Sequence, residues 1–278
     1  MSCLFRIRES MNAYTETEKR LANYIINNPT EILHDSAEQC GKRVNTSAAA
    51  VVRFAKKIGY KGFTDMKLEL ARSKQSESLD FDEFIKEEDS FEIVMKKAYS
   101  SNMKTIEQTY HLLNATDLKL AVDWLLKANR IFIFGVGASG VVCLDIMQKL
   151  ARIGRSVFFQ SDSHIQITYA ANMKPNDVAI AISYSGKTKE IITATNAAHS
   201  NGAKVIAITQ LNTNQLCKIA DLVMRTPSEE KELRMGAISS RIASLALTDL
   251  LYFGVAKYHF NDTKETLLIT RNAIKEFE

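Results

Sequence analysis

Ser183, Tyr184, Ser185, Gly186, Lys187 and Thr188 set three aliphatic hydroxyls, one tyrosine, one glycine and one lysine in six consecutive positions. Five apolar residues, Val178 to Ile182, precede them and read as a buried strand, and a helical pattern begins near Lys187 and runs toward His199. The turn therefore opens a helix, whose first N–H groups lack intrahelical acceptors and whose dipole turns its positive end outward. Added hydroxyl donors, with a glycine that admits close backbone approach, make this a cradle for an anion, above all a phosphate group. Ser185-Gly-Lys-Thr188 matches the tail of a Walker A loop, but Ala181 stands inside the strand where that motif needs its first glycine. A nucleotide triphosphate site is excluded on that ground.

A second loop of the same kind lies upstream. Gly135-Val-Gly137-Ala-Ser139-Gly140 follows the apolar run Ile131 to Phe134 and fits GxGxxG. A dinucleotide site would place an acidic residue at the end of the next strand, where Gln160 stands, with Asp162 only beyond it. The two loops are related instead by an internal repeat. Gly135 and Gly154 bracket one helix as Ser183 and Gly202 bracket the other. Each half reads strand, polar loop, helix, glycine, strand.

These loops need a sheet to hold them. Ile131–Phe134, Ser156–Phe159, Val178–Ile182, Val205–Ile208 and Leu222–Met224 are the predicted strands, alternating with helices. That alternation predicts a doubly wound, five-stranded parallel α/β sheet with both loops at its carboxyl edge, where open sheets bind ligands. Upstream, Phe91 to Leu113 reads as a long amphipathic helix with Ile93, Val94, Tyr99, Met103, Ile106, Tyr110 and Leu113 on one face, packing on this domain or a partner subunit. The next helix, from Thr116, puts Leu118, Leu120, Ala121, Trp124 and Leu125 inside.

The N-terminal third is different in kind. Thr15–Glu18 and Ser36–Gln39 are capping boxes, Asn27-Asn28-Pro29 stops the first helix, and Asn45 tolerates a tight turn. Thr46 or Ser47 caps a further helix, Ala48 to Ile58, ended by Gly59. Its Val51, Val52, Phe54, Ala55 and Ile58 pack inward, leaving Ala49, Ala50, Arg53, Lys56 and Lys57 outside. Small residues at its start, Ala48 and Ala49 among them, allow close approach to a surface, and bases further along suit phosphates. A capped helix, short turn and basic second helix form an all-α helix-turn-helix for the DNA major groove. Between Gly41 and Lys74 nine bases face two acids, whereas Gln75 to Asp89 carries seven carboxylates and one lysine. The chain of 278 residues, net charge +4, is thus expected to comprise a DNA-binding domain at 1–75, an acidic linker at 76–90 and an α/β domain at 91–278.

Composition narrows the rest. Four scattered cysteines and five scattered histidines form no metal-ligand pattern, so no metal and no cofactor are expected. No apolar run approaching ~18 residues predicts a membrane span, and the N-terminus carries no export signal, so the expected location is cytoplasmic.

Ser47-Ala-Ala-Ala-Val-Val-Arg53-Phe54 followed by Ile-Gly59-Tyr-Lys-Gly62-Phe63 resembles the DNA-binding domain of RpiR-type transcriptional regulators, with Ala50 where that family has threonine. The resemblance implies that Ser47 caps the recognition helix and that Arg53, Lys57 and Lys61 contact phosphates or bases. The loop pair is similar to that of sugar isomerase (SIS) domains, the phosphosugar-binding module that RpiR-type regulators join to their helix-turn-helix. It implies that Gly137 and Ser139 of the first loop and Ser183, Ser185 and Thr188 of the second hold the phosphate, with Tyr184 and Gly186 adding backbone contacts. The expected protein binds a double-stranded DNA operator and a phosphorylated sugar as a homodimer or homotetramer. It has no catalytic residues. The alternative, a sugar-phosphate isomerase, would need a base, for which His164, Glu190, Glu229 and Glu230 are available. Ser240 and Arg241, opening an apolar helix that reaches Phe253, also match the SIS pattern and stand as contacts to ligand or neighbouring subunit.

Overall fold

The computed structural model describes residues 3–11, 14–77, 85–227, 236–258 and 260–275. Packing divides the chain into two compact units, Met1–Val94 and Met95–Glu278.

The first unit holds α1 (Cys3–Glu9), α2 (Glu16–Asn27), α3 (Glu31–His34), α4 (Ala37–Arg43), α5 (Ala48–Lys57) and α6 (Phe63–Glu77). Both expected capping boxes form, Thr15 with Glu18 and Ser36 with Gln39. Asn45 turns the chain between α4 and α5 at φ 56°, and Ser47 Oγ accepts the Ala50 N–H at 3.2 Å. The α4 side of that turn is fixed by Gly41, where a Cβ would lie 2.7 Å from the Thr46 carbonyl oxygen. A glycine inside a helix costs about 1 kcal/mol of propensity; here it lets the turn close. Gly41→Ala is expected to destabilise this unit by about 1–3 kcal/mol through overpacking, read as a lower midpoint in urea.

Leu21, Ile25, Ile32, Val51 and Phe54 form the core, closed by Cys3 and Ile7 of α1 and by Phe63, Met66 and Leu70 of α6. Neither α1 nor α6 is among the helices expected from the sequence, and both add apolar residues to this core. A polar seam flanks the core. The Tyr24 hydroxyl donates to Asp35 Oδ2 at 2.8 Å, and Arg43 Nε reaches the same oxygen at 3.1 Å. Burial, then the hydrogen bond to Asp35, push the Tyr24 phenol up to about 12. The folded phenol stays neutral where the unfolded one ionises, near pH ~10. Its contribution is therefore complete below that pH and is lost as pH rises toward about 12. Tyr24→Phe should flatten the fall in stability across that window, measured by urea unfolding at a series of alkaline pH values.

The second unit begins within α7 (Phe91–His111) and continues with α8 (Ala115–Lys127). There follow β1 (Ile131–Phe134), α9 (Ala138–Arg152), β2 (Val157–Phe158), α10 (Ser163–Ala171), β3 (Val178–Ile182) and α11 (Lys189–Ser200). The chain goes on through β4 (Lys204–Gln210), α12 (Gln215–Ile219), β5 (Leu222–Thr226), α13 (Ile238–Tyr258) and α14 (Phe260–Lys275). All strand pairs are parallel, in the order β2-β1-β3-β4-β5. The strand order reverses between β1 and β3, so the loops after those two strands part and leave a crevice. Val178, Ile180 and Ile182 of β3 pack toward α8, α9 and α13, whereas Ala179 and Ala181 face the α10–α12 layer. Buried Asp177 ties the β3 and β1 starts together, accepting Arg130 Nε at 3.1 Å and Arg130 Nη2 at 2.5 Å.

One expectation narrows to its partner-subunit alternative here, and one changes. On α7, Tyr99 is 69% and Met103 48% exposed, while Thr105, Gln108 and Thr109 are buried. The threonines satisfy themselves on their own helix, Thr105 Oγ1 to the Ser101 carbonyl and Thr109 Oγ1 to the Thr105 carbonyl, so burying them costs little. On α8, Leu120 points outward and Val122 takes the inner position. Helix α13 is long and apolar enough to span a membrane by length and composition alone. Its Leu247, Leu251 and Val255 are buried against the sheet, the place of a core helix.

Candidate functional site

The carboxyl edge of the sheet carries a cavity of about 220 Å³. Gly137, Ser139, Ser183, Tyr184, Ser185 and Thr188 line it, with Val136, Val142 and Ile182 forming the apolar floor. Ser183 is buried and its Oγ lies 3.0 Å from Thr188 Oγ1. Thr188 is the N-cap of α11 without capping it through its side chain, which is turned to Ser183 instead. Ser185 is exposed at the mouth, where its Oγ accepts the Lys187 N–H at 3.3 Å. Gly137, the N-cap of α9, has φ 58° and ψ −130°, a conformation open to glycine and strained for other residues.

Gly186 is buried beneath the loop and does not line the cavity. Its part is structural: its N–H donates to the Ser183 carbonyl at 3.0 Å, and its carbonyl accepts the Leu216 N–H at 3.1 Å. The Tyr184 carbonyl is held from the β4 side, by Gln210 N–H at 3.1 Å and Thr209 Oγ1 at 3.1 Å.

The far wall comes from α13. Ser240, Arg241 and Ser244 line the cavity, with Ala237 just before the helix. Helices α9, α11 and α13 all begin at this cavity, so three positive dipole ends, four loop hydroxyls and one guanidinium converge on it. Such a set has the donors and the positive potential that an anion requires. His164 and Glu190 are exposed and lie outside the lining, and His164 instead donates its backbone N–H to Asp162 Oδ1 at 2.7 Å. Asp162 is thereby the cap of α10. Glu229 and Glu230 fall outside the described residues.

In the first unit α5 presents Ser47, Ala49, Arg53, Lys56 and Lys57 on its exposed side, with Ala48 half-buried and Lys61 exposed just beyond the helix. Part of the basic cluster is engaged within the fold. Lys57 Nζ contacts both Glu18 oxygens, at 2.8 and 2.9 Å, and Lys67 Nζ donates to the Leu33 and Asp35 carbonyls. The Lys57 ammonium, then the Thr15 N–H, hold the Glu18 carboxyl below its usual range. Arg53, Lys56 and Lys61 make no ion pair among the described residues, which leaves them as the available cations of this face.

Known proteins agree with both halves. The helix-turn-helix domain of the rpiR family matches residues 1–77, and the SIS domain matches residues 124–253. An HTH-type transcriptional regulator of Caldanaerobacter subterraneus subsp. tengcongensis is 40% identical over 256 residues, covering 92% of this chain and 91% of that one. The chain belongs to the RpiR family of transcriptional regulators. The structure of the Vibrio vulnificus NanR protein complexed with ManNAc-6P matches this RpiR-family chain with a TM-score of 0.65 and 25% identity, over 100% of this chain and 99% of NanR. Phosphoheptose isomerase GmhA from Neisseria gonorrhoeae, at 15% identity and a TM-score of 0.51, shares the fold over 60% of this chain and 99% of its own.

The structure brings the two expected loops of this RpiR-family regulator together. It adds Ser244, which sequence reading missed because an interior helical serine has no local signature. Behind the loops, outside the lining, lie two buried amides, Gln166 and Asn214.

Proposed function

We propose that this RpiR-family protein regulates sugar catabolism genes by binding operator DNA with an affinity set by a phosphorylated sugar in the α/β unit. The carrying observation is the convergence of three helix starts and four loop hydroxyls on one cavity, in a chain whose first unit is a helix-turn-helix. The phosphate would lie against Ser139, Ser183, Ser185 and Thr188, and the sugar hydroxyls toward Ser240, Arg241 and Ser244. An isomerase would need a base within reach of the reacting carbons. Of the candidate bases, the two among the described residues, His164 and Glu190, stand away from the lining. The protein would act in the cytoplasm.

The regulator would work as a homo-oligomer that sets two α5 helices about one DNA turn (~34 Å) apart. Exposed Tyr99, Met103 and Tyr110 on α7, with Phe253 on α13 and Ile269 on α14, supply apolar surface for such an assembly. Tyr99→Glu with Met103→Glu is expected to lower the sedimenting mass of the full chain if α7 forms the contact. An unchanged mass would place the contact elsewhere.

The ligand claim is tested by thermal shift against hexose, amino-sugar and pentose phosphates. NanR being complexed with ManNAc-6P makes the amino-sugar phosphates the first arm. One sugar phosphate should raise the melting temperature of the wild type and fail to do so in Ser185→Ala. An equal shift in Ser185→Ala would remove Ser185 from the site.

A further inference from the structure

The two halves of the loop repeat keep a constant offset: Gly135 and Ser183, Gly154 and Gly202, and Gln166 and Asn214 are each 48 residues apart. The glycines play the same part, ending their helices at φ 75° and φ 80°. The amides correspond too. Both are buried, Gln166 at 1% and Asn214 at 5% exposure, and neither lines the cavity.

Each amide is spent on a loop. The β1 pairing ends at Phe134, leaving the N–H and carbonyl of Gly135 without strand partners. Gln166 supplies both: its Oε1 accepts the Gly135 N–H at 3.0 Å and its Nε2 donates to the Gly135 carbonyl at 3.0 Å and the Gln160 carbonyl at 2.6 Å. Its orientation is forced by those partners. In the other half Asn214 Nδ2 donates to Thr209 Oγ1 at 3.0 Å, and Thr209 Oγ1 donates to the Tyr184 carbonyl. Asn214 Oδ1 caps α12 through the Cys217 N–H at 3.1 Å. Gly186 lies directly on this side chain, since a Cβ at 186 would fall 2.1 Å from Asn214 Cγ.

We propose that Gln166 and Asn214 are a matched pair of positioning residues, each fixing the backbone of the anion-binding loop in its own half of the repeat. The inference rests on the cavity being a phosphate site. Fixed backbone N–H groups bind an anion without first ordering the loop, so loosening either loop lowers affinity without removing any ligand contact. Gln166 acts on its loop directly and Asn214 through Thr209, and the two amides share no partner, so each half carries its device independently. Loss of one amide loosens one loop and leaves the other set.

The test uses inorganic phosphate as probe, with the full chain and backbone amide chemical shifts as readout. Asn214→Asp keeps the cap oxygen and the shape but loses the donor to Thr209. Gln166→Glu likewise keeps the acceptor and loses both donations, and Gln166→Met, of similar length, answers if Gln166→Glu does not fold. The expected result is a phosphate affinity about tenfold weaker in each single variant, a product of the two losses in the double variant, and faster hydrogen exchange at the Gly135 amide in Gln166→Met, which loses the acceptor of that N–H as well. Wild-type phosphate affinity in the variants would overturn the proposal and leave the cavity assignment standing. A wild type that takes up no phosphate at these loops would overturn the cavity assignment itself, and the proposal with it.

Discussion

Gly186→Ala is expected to abolish the response to sugar phosphate. Gly186 has φ 63°, where a side chain costs about 1–2 kcal/mol. A Cβ there would also stand 2.1 Å from both Cγ and Oδ1 of Asn214, far inside contact distance. The Asn214 side chain has no slack, for its amide is bonded to Thr209, Asn212 and Cys217. Either the Ser183–Thr188 loop lifts or the start of α12 moves, and both displace the hydroxyls from their positions at the cavity. Calorimetric titration should show at least a hundredfold loss of affinity, on the order of 3 kcal/mol, the sum of the backbone strain and a lost cap of about 1 kcal/mol. The DNA-binding unit has its own core and should keep its operator affinity in the same variant. Normal sugar binding by Gly186→Ala would mean that this loop is not the phosphate cradle.

Arg53→Ala combined with Lys56→Ala is expected to have the second large effect, on DNA alone. Both side chains project from the exposed face of α5, and neither has an ion-pair partner among the described residues. Losing a base-contacting arginine costs about 1–3 kcal/mol, and each lost phosphate contact makes the salt dependence of log K shallower by about 0.9. Operator affinity should therefore fall ten- to a hundredfold or more, with a slope reduced by one to two, in fluorescence anisotropy at several salt concentrations. Lys57→Ala should cost less, because Lys57 must first leave Glu18. Equal losses from the two sites would show that the Lys57–Glu18 pair opens at no cost on DNA.

Much of this arrangement was legible in the residues because it is local. The capping boxes at Thr15 and Ser36, the left-handed Asn45 and the Ser47 cap are each settled within four positions of chain. The strands β1 and β3 were legible because a strand buried on both faces is apolar throughout. The site was half legible. Its two loops announce themselves by glycine and hydroxyl content, but Ser244 is an ordinary serine until the fold carries α13 across the cavity. Gln166 and Asn214 illustrate the same limit, since a buried amide looks like any surface amide in sequence. The repeat offset is the signal that could have found them. Charge is legible only as a total: the basic cluster predicts a DNA face, but that Lys57 and Lys67 bond within the fold depends on neighbours up to 39 positions away. The apolar stripe of α7 showed that a face is apolar without showing what covers it.

The most direct measurement is operator DNA affinity, by anisotropy on the region upstream of the gene, with and without the sugar phosphate selected by thermal shift. A coupling of about 5- to 150-fold in either direction is expected at saturation, present in the wild type and absent in Ser185→Ala. Identical DNA affinity for the sugar-free and sugar-saturated wild type would contradict the account, because the two units would then be joined without being coupled.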